Sequence, residues 1–335
     1  MNLSQPNHSD PQQNDVDDLP FLSVIIPIYN GESDLADLVE CLWAQTYPTN
    51  RVEYLLVDNN SGDRTYQYLQ SYGVRSAARH ITLKALQEHQ IQSSYAARNT
   101  GIKASQGHIL VFTDADCRPC SHWLRDLVVP FADESIGLVA GEITGLPSEH
   151  WLETYADRQD TLSQTHTLNH SFLPYGQTAN LAVRRSAFQT VGLFRPYLTT
   201  GGDADICWRI QQETTWAIAF AERAVVQHRH RSTLGELRSQ WQRYGRSNRY
   251  LHELHGIPLT PSLSMGEPIK RFARWGLKEI PRSLMEGDRR LSTLLSTPLS
   301  LICIHARSQG QAQAKLRAKA REIEQWEQSS AVRSS

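Results

Sequence analysis

Two aspartates, Asp114 and Asp116, flank one alanine directly after the apolar run Ile109–Phe112. Two carboxylates held this close repel each other unless a cation lies between them. Their oxygens suit hard ions such as Mg²⁺ or Mn²⁺. Such an ion bridges protein to substrate phosphates and stabilises a departing phosphate as a Lewis acid. A solvated acidic turn is the plain alternative, but a place at the end of an apolar run favours the metal. A second acidic group lies in Thr199-Thr200-Gly201-Gly202-Asp203-Ala204-Asp205-Ile206, before a helix expected over residues 206–212. Its glycines let backbone approach a ligand, and the helix dipole favours an aspartate at a helix start. Capping alone would also place an aspartate there. Further on, His228 and His230 stand two residues apart, on one side of any strand they share. Residues 223–249 hold seven arginines and one acid, Glu236.

These groups need a frame. Residues 21–28 (FLSVIIPI) are almost continuously apolar, as a strand buried on both faces of a parallel sheet requires. A turn follows at Tyr29-Asn30-Gly31, and Ser33 is set to cap a helix with the stripe Leu35, Leu38, Val39 and Leu42. Residues 52–57 read as a second buried strand ending at Asp58, and a helix starts near Thr65. Ile109–Phe112 repeats the pattern before the aspartate pair. Strands alternating with helices predict βαβ units and an α/β fold with a mostly parallel sheet. Ligands of such sheets bind beyond the carboxyl ends of the strands. Residues 29–32, 58–60 and 114–116 therefore line one crevice.

The chain has 335 residues, 40% hydrophobic and 21% charged, which excludes a mostly disordered protein. With 34 basic and 35 acidic residues it is not a polyanion binder, so no nucleic acid is expected as partner. Five cysteines argue for a reducing compartment, and Cys117-Arg118-Pro119-Cys120 lacks the second pair a zinc site needs. These cysteines read as ordinary loop residues. No run reaches the roughly 18 apolar residues of a membrane span, so a cytoplasmic location is expected. Residues 1–19 are polar and read as a flexible leader. Residues 261–335 carry 13 basic against 7 acidic side chains and read as a helical, basic extension from 258 onward. Its final amphipathic segment centres on Leu316, Ala320, Ile323 and Trp326. Residues 268–284 are basic and aromatic, suited to an anionic membrane surface or equally to a lid or dimer contact.

Five segments, in order, resemble those of family 2 glycosyltransferases of the GT-A fold. They are Val24-Ile25-Ile26-Pro27-Ile28-Tyr29-Asn30, Val57-Asp58-Asn59-Asn60-Ser61, Ala97-Arg98-Asn99, Asp114-Ala115-Asp116 and Gly202-Asp203-Ala204-Asp205. The resemblance covers roughly residues 21–250. It implies a Rossmann-like GT-A domain over 20–257, split into a nucleotide-binding half (20–116) and an acceptor half (117–257). It also implies a nucleotide-sugar donor, UDP-, GDP- or dTDP-linked, and Mn²⁺ or Mg²⁺. Pro27, Tyr29 and Glu32 match positions around base and ribose, though Pro27 and Tyr29 also suit strand-end packing. Asp58 matches the carboxylate facing the base, and Arg98 and Asn99 the segment closing over the nucleoside, where Arg98 could instead pair on the surface. Asp116 matches the direct metal ligand and Asp114 the contact to ribose or donor sugar. Asn59 stands where many relatives carry Asp, which leaves base specificity open.

Relatives often read Glu-Asp where this chain has Gly202-Asp203, so Asp203 maps to the general base and Asp205 to loop or acceptor orientation. An acceptor hydroxyl is a poor nucleophile until its proton is taken. The implied reaction is one in-line displacement with inversion. Asn180, in Tyr175-Gly176-Gln177-Thr178-Ala179-Asn180, matches an acceptor contact, or is a satisfied turn residue. His228, with His230 second, matches a histidine that completes the metal shell in similar enzymes. Gln240-Trp241-Gln242-Arg243-Tyr244 resembles the Gln-x-x-Arg-Trp motif of processive synthases, and Arg243 suits a diphosphate or a solvated basic helix. With no span expected, transfer of a single sugar follows. The acceptor is then a glycan or lipid-linked molecule of cell-surface assembly, with peripheral contact at the inner membrane face through the extension. The rivals are a sugar-nucleotide-binding module without turnover and a nucleotidyltransferase, whose Gly-rich basic loop is missing after the first strand.

Overall fold

Every residue of β1 (Leu22–Ile28) is buried, as its unbroken apolar sequence requires. The computed structural model describes residues 19–148, 150–264, 266–285 and 291–326. The leader expected over 1–19 thus lies outside the described residues except for its last position. Helix α1 (Leu35–Trp43) buries Leu35, Leu38, Val39 and Leu42, the expected stripe. Its N-cap is Asp34 rather than Ser33, and Asp34 caps no backbone N–H because Arg118 and Arg229 take its carboxylate at 2.9 and 2.7 Å.

Then follow β2 (Val52–Asp58), α2 (Thr65–Ala77), β3 (Thr82–Gln87), α3 (Ser94–Ala104) and β4 (Ile109–Phe112). The second half runs through β5 (Cys117–Pro119), α4 (Trp123–Val128), β6 (Ile136–Gly145), α5 (Trp151–Arg158) and α6 (Thr165–Leu168). It continues with β7 (Leu181–Arg184), α7 (Arg185–Val191), α8 (Gly202–Glu213), β8 (Ala217–His228) and α9 (Leu234–His255). Helices α10 (Glu267–Arg274), α11 (Ile280–Met285), α12 (Leu291–Leu294) and α13 (Ser296–Gln313) make the extension, with a π-helical turn at Trp275–Glu279.

The strands form one eight-stranded sheet in the order β3-β2-β1-β4-β7-β6-β8-β5. Four of its seven pairings are parallel; three of these join β3, β2, β1 and β4, so the first-half strand ends open on one edge. β7 reverses direction against both β4 and β6. Helices cover both faces. One core packs α1, α2 and α4 on the sheet, with Leu38, Leu69 and Trp123 buried. The other packs α3, α7 and α8, with Ile102, Phe188 and Ile206.

The final segment corrects the expectation of an amphipathic helix. Residues 314–326 are extended apart from a 3₁₀ turn at Ala318–Arg321. Leu316 and Ala320 are buried in the α3/α7/α8 core. Leu193 N–H donates to the Glu324 carbonyl at 2.8 Å, and the Arg185 guanidinium lies 4.6 Å from the Trp326 ring. The physical reason is closeness. A Cβ on Gly192, whose φ is +78°, would stand 2.6 Å from Ile323 Cγ2, so an extended strand fits where a helix is too wide.

Helices α9 and α13 cross at two glycines. A Cβ at Gly245 would reach 1.9 Å from the Arg307 carbonyl oxygen, and one at Gly310 would reach 2.0 Å from that of Gln242. Both obstacles are backbone and cannot swing aside. Gly310→Ala should therefore force the helices apart and lower stability by about 1–3 kcal/mol or more, despite alanine's better helix propensity. Urea unfolding checks this; an unchanged or raised midpoint would contradict the close crossing. Among the described residues no helix is long and apolar enough to cross a membrane.

Candidate active site

The turn after β4 is held by the segment that leads into β7: Thr113 Oγ1 donates to the Ala179 carbonyl at 2.9 Å. This sets Asp114 and Asp116 at the sheet edge. Opposite, Ser93 caps α3 by accepting from Tyr95 N–H at 3.2 Å, which starts the helix that carries Arg98. Arg98 Nη2 donates to Asp114 Oδ1 at 2.6 Å. Its side chain is only 4% exposed, and its buried Nε has no partner. An orphaned N–H on a buried guanidinium costs free energy unless a ligand oxygen meets it.

The short strand β5 pairs antiparallel with the end of β8, with Cys117 opposite His228. That pairing brings His228 Nε2 to 3.4 Å from Asp116 Oδ1. One ligand atom each from Asp116, Cys117 and His228 lies within 4.8 Å of the others. Arg231 stands 4.0 Å from Asp116 on the other carboxylate oxygen. The Asp116 carboxylate suits a hard divalent ion such as Mn²⁺ or Mg²⁺, and the His228 imidazole would add a nitrogen ligand beside it. Burial pushes the Cys117 thiol well above its ordinary range, so it stays protonated and is a poor ligand for a hard ion. Cys117 is thus a buried strand residue beside the site, whereas the sequence reads as loop. His230 does not share the face of His228. β8 ends at His228, and His230 turns to Asp157, 3.6 Å away.

Asp203 comes from the first turn of α8, whose N-cap Gly201 has φ +82°. The helix begins four residues before the expected start at Ile206. Asp203 Oδ1 accepts from Thr178 Oγ1 at 2.9 Å. Burial raises its pKa; Arg98 and the Thr178 hydrogen bond offset this only in part, and Asp114 adds to the rise. A carboxylate that holds protons more tightly than usual is a better proton acceptor. The structure also explains Gly202. A Cβ there would lie 2.6 Å from the Tyr95 ring, whose hydroxyl accepts from Gly202 N–H at 2.9 Å. Tyr95 thus leaves no room for a side chain at 202.

Arg98, Asp114, Asp203, His228, Arg231 and Arg243 line one cavity of about 240 Å³. Two acids, a histidine and three arginines thus face each other across the sheet edge. Burial lowers the Arg243 pKa, and Arg231 lowers it further. The Arg243 guanidinium still remains charged.

The other residues singled out in the sequence lie elsewhere. Pro27 is buried in β1 and Tyr29 is 56% exposed just beyond it. Glu32 pairs with Arg64, which pulls its pKa down. Asp58 is buried and accepts from Ser61 N–H at 3.3 Å. Asn59 uses both amide hydrogens on backbone, donating to Glu88 and Ile91 carbonyls at 3.1 and 2.9 Å. An aspartate could donate to neither, which accounts for asparagine at 59. Asn99 is buried away from the cavity and donates to the Phe194 carbonyl at 2.9 Å and Glu324 at 2.7 Å. Asn180 is fully buried, donating to Ala224 and Glu142 carbonyls and accepting from Trp123 Nε1 at 2.7 Å. Asp205 is fully buried between Arg195, Arg209 and His255. These three organise the fold behind the cavity.

Sequence reasoning passed over Thr178, Tyr95 and Arg231. Thr178 lay within the quoted 175–180 segment, but its hydroxyl was not separable there from the Asn180 amide. Arg231 was one of seven arginines without a mark of its own.

Comparison with known proteins agrees with the geometry. Residues 23–192 match the family described as Glycosyl transferase family 2, and residues 109–279 match Glycosyl transferase family group 2. Glycosyltransferase AglE of Haloferax volcanii is 33% identical over 242 residues, 72% of this chain and 77% of that protein. Pre-mycofactocin glycosyltransferase of Mycobacterium tuberculosis is 28% identical over 284 residues, 83% of this chain but 56% of that protein. Among solved structures, the mannosyltransferase PcManGT from Pyrobaculum calidifontis, in complex with GDP-Man and Mn²⁺, superposes with a TM-score of 0.59 at 15% identity. The match covers 88% of this chain and 87% of that one. Glucosyl-3-phosphoglycerate synthase from Mycobacterium tuberculosis, with Mn²⁺, UDP and phosphoglyceric acid, gives 0.51 at 20% identity over 76% of this chain and 85% of its own. At such identities the likeness speaks for the GT-A α/β fold. The fold, the matched residues and the 33% identical relative together make this chain an enzyme of glycosyl transferase family 2.

Proposed function

We propose that the chain transfers one sugar from a nucleoside-diphosphate donor to an acceptor hydroxyl, with inversion and with a divalent ion, in cell-surface glycan or glycolipid assembly. The observation that carries this is Asp203, a carboxylate of raised proton affinity in the cavity that also holds Arg98, Asp114, His228 and Arg243. Asp203 takes the acceptor proton as the acceptor oxygen bonds the anomeric carbon. The bond from that carbon to the diphosphate oxygen breaks, and its electron pair leaves with the nucleoside diphosphate. Arg98, Arg231 and Arg243 offset the charge that develops there. Asp116 and His228 would hold Mn²⁺ or Mg²⁺, which when bound supplies Lewis-acid stabilisation of the diphosphate. Two proteins of the same fold were solved with Mn²⁺ and a nucleotide or nucleotide sugar, which supports the same donor class. Asp114, paired with Arg98, is the contact for ribose or donor sugar. Pro27, Tyr29, Glu32 and Asp58 border the base side. The buried Asn99, Asn180 and Asp205 support these groups from behind.

The test is a thermal-shift panel of UDP-, GDP- and dTDP-sugars with Mn²⁺. One nucleotide class should raise the melting temperature by mass action, about 2.7 kcal/mol of stabilisation at a hundredfold excess over Kd. Asp116→Ala should remove the metal-dependent part of donor binding in calorimetric titration. Unchanged titration with Mn²⁺ and donor would count against the site. Wild type that binds donor yet neither transfers nor hydrolyses any sugar in the panel would favour a binding module.

A further inference from the structure

We propose that a cavity between α9 and α13 holds the hydrocarbon chain of a lipid-linked acceptor, whose head group extends to Asp203; this rests on the transferase reading above. The cavity measures about 890 Å³ and is walled by Leu234, Leu263, Pro268, Leu301, Ile302 and Ile304. That volume falls in the range of about 300–1,000 Å³ usual for small-ligand sites. Leu234 and Ile302 are 47% and 39% exposed, so apolar surface faces water unless something covers it. Among the described residues that line it, Arg238 and His305 are the only charged or titratable side chains, and none is a carboxylate. An apolar trough with basic groups suits a hydrocarbon chain joined to an anion.

The trough is the far end of a series. It shares Ile304 with a cavity of about 240 Å³ that Tyr155, Leu237 and Cys303 also line. That cavity shares Thr161, His166 and Tyr244 with a third, lined further by Ser163, Gln177 and Ser247. The third shares Asp203, Tyr95 and Thr200 with the donor cavity. Helix α9 borders all four, from Leu234 to Ser247, about 20 Å at 1.5 Å per residue. Arg238 and His305 sit in the apolar trough itself, the next two cavities mix apolar side chains with hydroxyl, amide and imidazole groups, and the Asp203 carboxylate stands at the far end. A hydrocarbon chain with its phosphate suits the trough, and a head-group hydroxyl suits the Asp203 end. Helix α10 flanks the trough through Pro268 and exposes Ile269 and Phe272 (72% and 53%) beside Lys270, Arg271 and Arg274, a face suited to lifting such a lipid from an anionic bilayer. The transfer step keeps its balance: the head-group oxygen bonds the anomeric carbon, its proton goes to Asp203, and the nucleoside diphosphate leaves with the electron pair.

Calorimetric titration of the full chain with octyl, decyl and dodecyl phosphate, each below its micelle concentration, tests the trough. Each added methylene should tighten binding by about fourfold. Inorganic phosphate should bind far more weakly than any of them. Ile302→Glu places a negative charge on the apolar wall. Gly235→Phe fills space, and its Cβ meets nothing nearer than Thr233 Oγ1 at 4.0 Å, so the fold keeps. Both should weaken dodecyl phosphate at least tenfold and leave the nucleotide-sugar thermal shift as in wild type. Binding that ignores chain length, or that survives both substitutions, overturns the inference. So does binding to phosphatidylglycerol vesicles with none to the monomeric phosphates, which points to surface docking alone. If nucleotide sugars bind and alkyl phosphates do not, this inference fails by itself. If alkyl phosphates bind and no nucleotide sugar does, the transferase reading fails instead.

Discussion

Replacing Asp203 by asparagine should leave donor affinity near its native value and cut sugar transfer by about 10²–10⁴-fold, the range of a lost general base. The two side chains have nearly the same shape, and the asparagine amide oxygen can still accept from Thr178 Oγ1. The loss is therefore of proton-accepting power, not of packing. The pH dependence supplies a second readout. Burial raises the Asp203 pKa above its ordinary 3.8, with Asp114 adding to the rise. Only the ionised form can take a proton, so wild-type transfer should fall as pH drops through that raised value. The acid limb should lie above the usual aspartate range and vanish in the asparagine variant. Release of nucleoside diphosphate across a pH series measures both. Transfer retained within a few fold of wild type would remove Asp203 from the role.

Asp205→Asn, two residues on, should act on stability. Its carboxylate is fully buried and meets Arg195 Nε at 3.0 Å, Arg209 Nε at 3.1 Å and His255 Nε2 at 2.9 Å. Burial alone would raise its pKa, but the His255 hydrogen bond and the two guanidiniums bring it down to about 2. Neutralising it leaves two arginines without their counter-charge, one of them, Arg209, only 4% exposed. Removing one partner of such a buried group costs about 3–5 kcal/mol. The sign with pH follows from the lowered value. The carboxylate contributes stability above its unfolded pKa near 4, and that contribution fades as pH falls from about 4 towards 2. The asparagine variant should show a lower urea midpoint at pH 7 and a flatter decline of stability in that acid window. A native midpoint at neutral pH would show that the cluster is not holding α8 to its neighbours.

The parallel half of the sheet was readable because its information is local. Buried strands such as β1 and β4 are unbroken apolar runs, and the α1 stripe repeats at helical spacing, so burial follows from residue order. The crevice at the strand ends was inferred in turn; the turn at Gly31 does come close to Ala115, since a Cβ there would stand 3.8 Å from Ala115 Cβ, but of the three turns only Asp114 lines the cavity that holds Asp203. The tail was misread for the same reason: Leu316, Ala320 and Ile323 have helical spacing, but Leu316 and Ala320 pack into the distant α3/α7/α8 core and Ile323 lies close against Gly192. Asn180 was named and Thr178 was not, because no spacing rule tells which of two polar side chains two residues apart reaches the cavity.

By itself the sequence determined the α/β class, the acidic pair after β4, the family and the candidate base at 203. Only the tertiary structure decided what each charged group does. Asp203 and Asp205 are both helix-start aspartates, which spacing does not separate; only the family resemblance singled out Asp203. One faces a cavity with Asp114 and gains proton affinity, while the other faces two arginines and a histidine and loses it. His228 and His230 divide in the same way, by the β5–β8 pairing that stops at His228. The reason is that a side chain's protonation and ligation depend on burial and on charges within a few ångströms. Some of those neighbours are close in sequence, as Arg209 is to Asp205, but His255 is 50 positions from Asp205 and Arg98 more than a hundred from Asp203, and only folding brings them together.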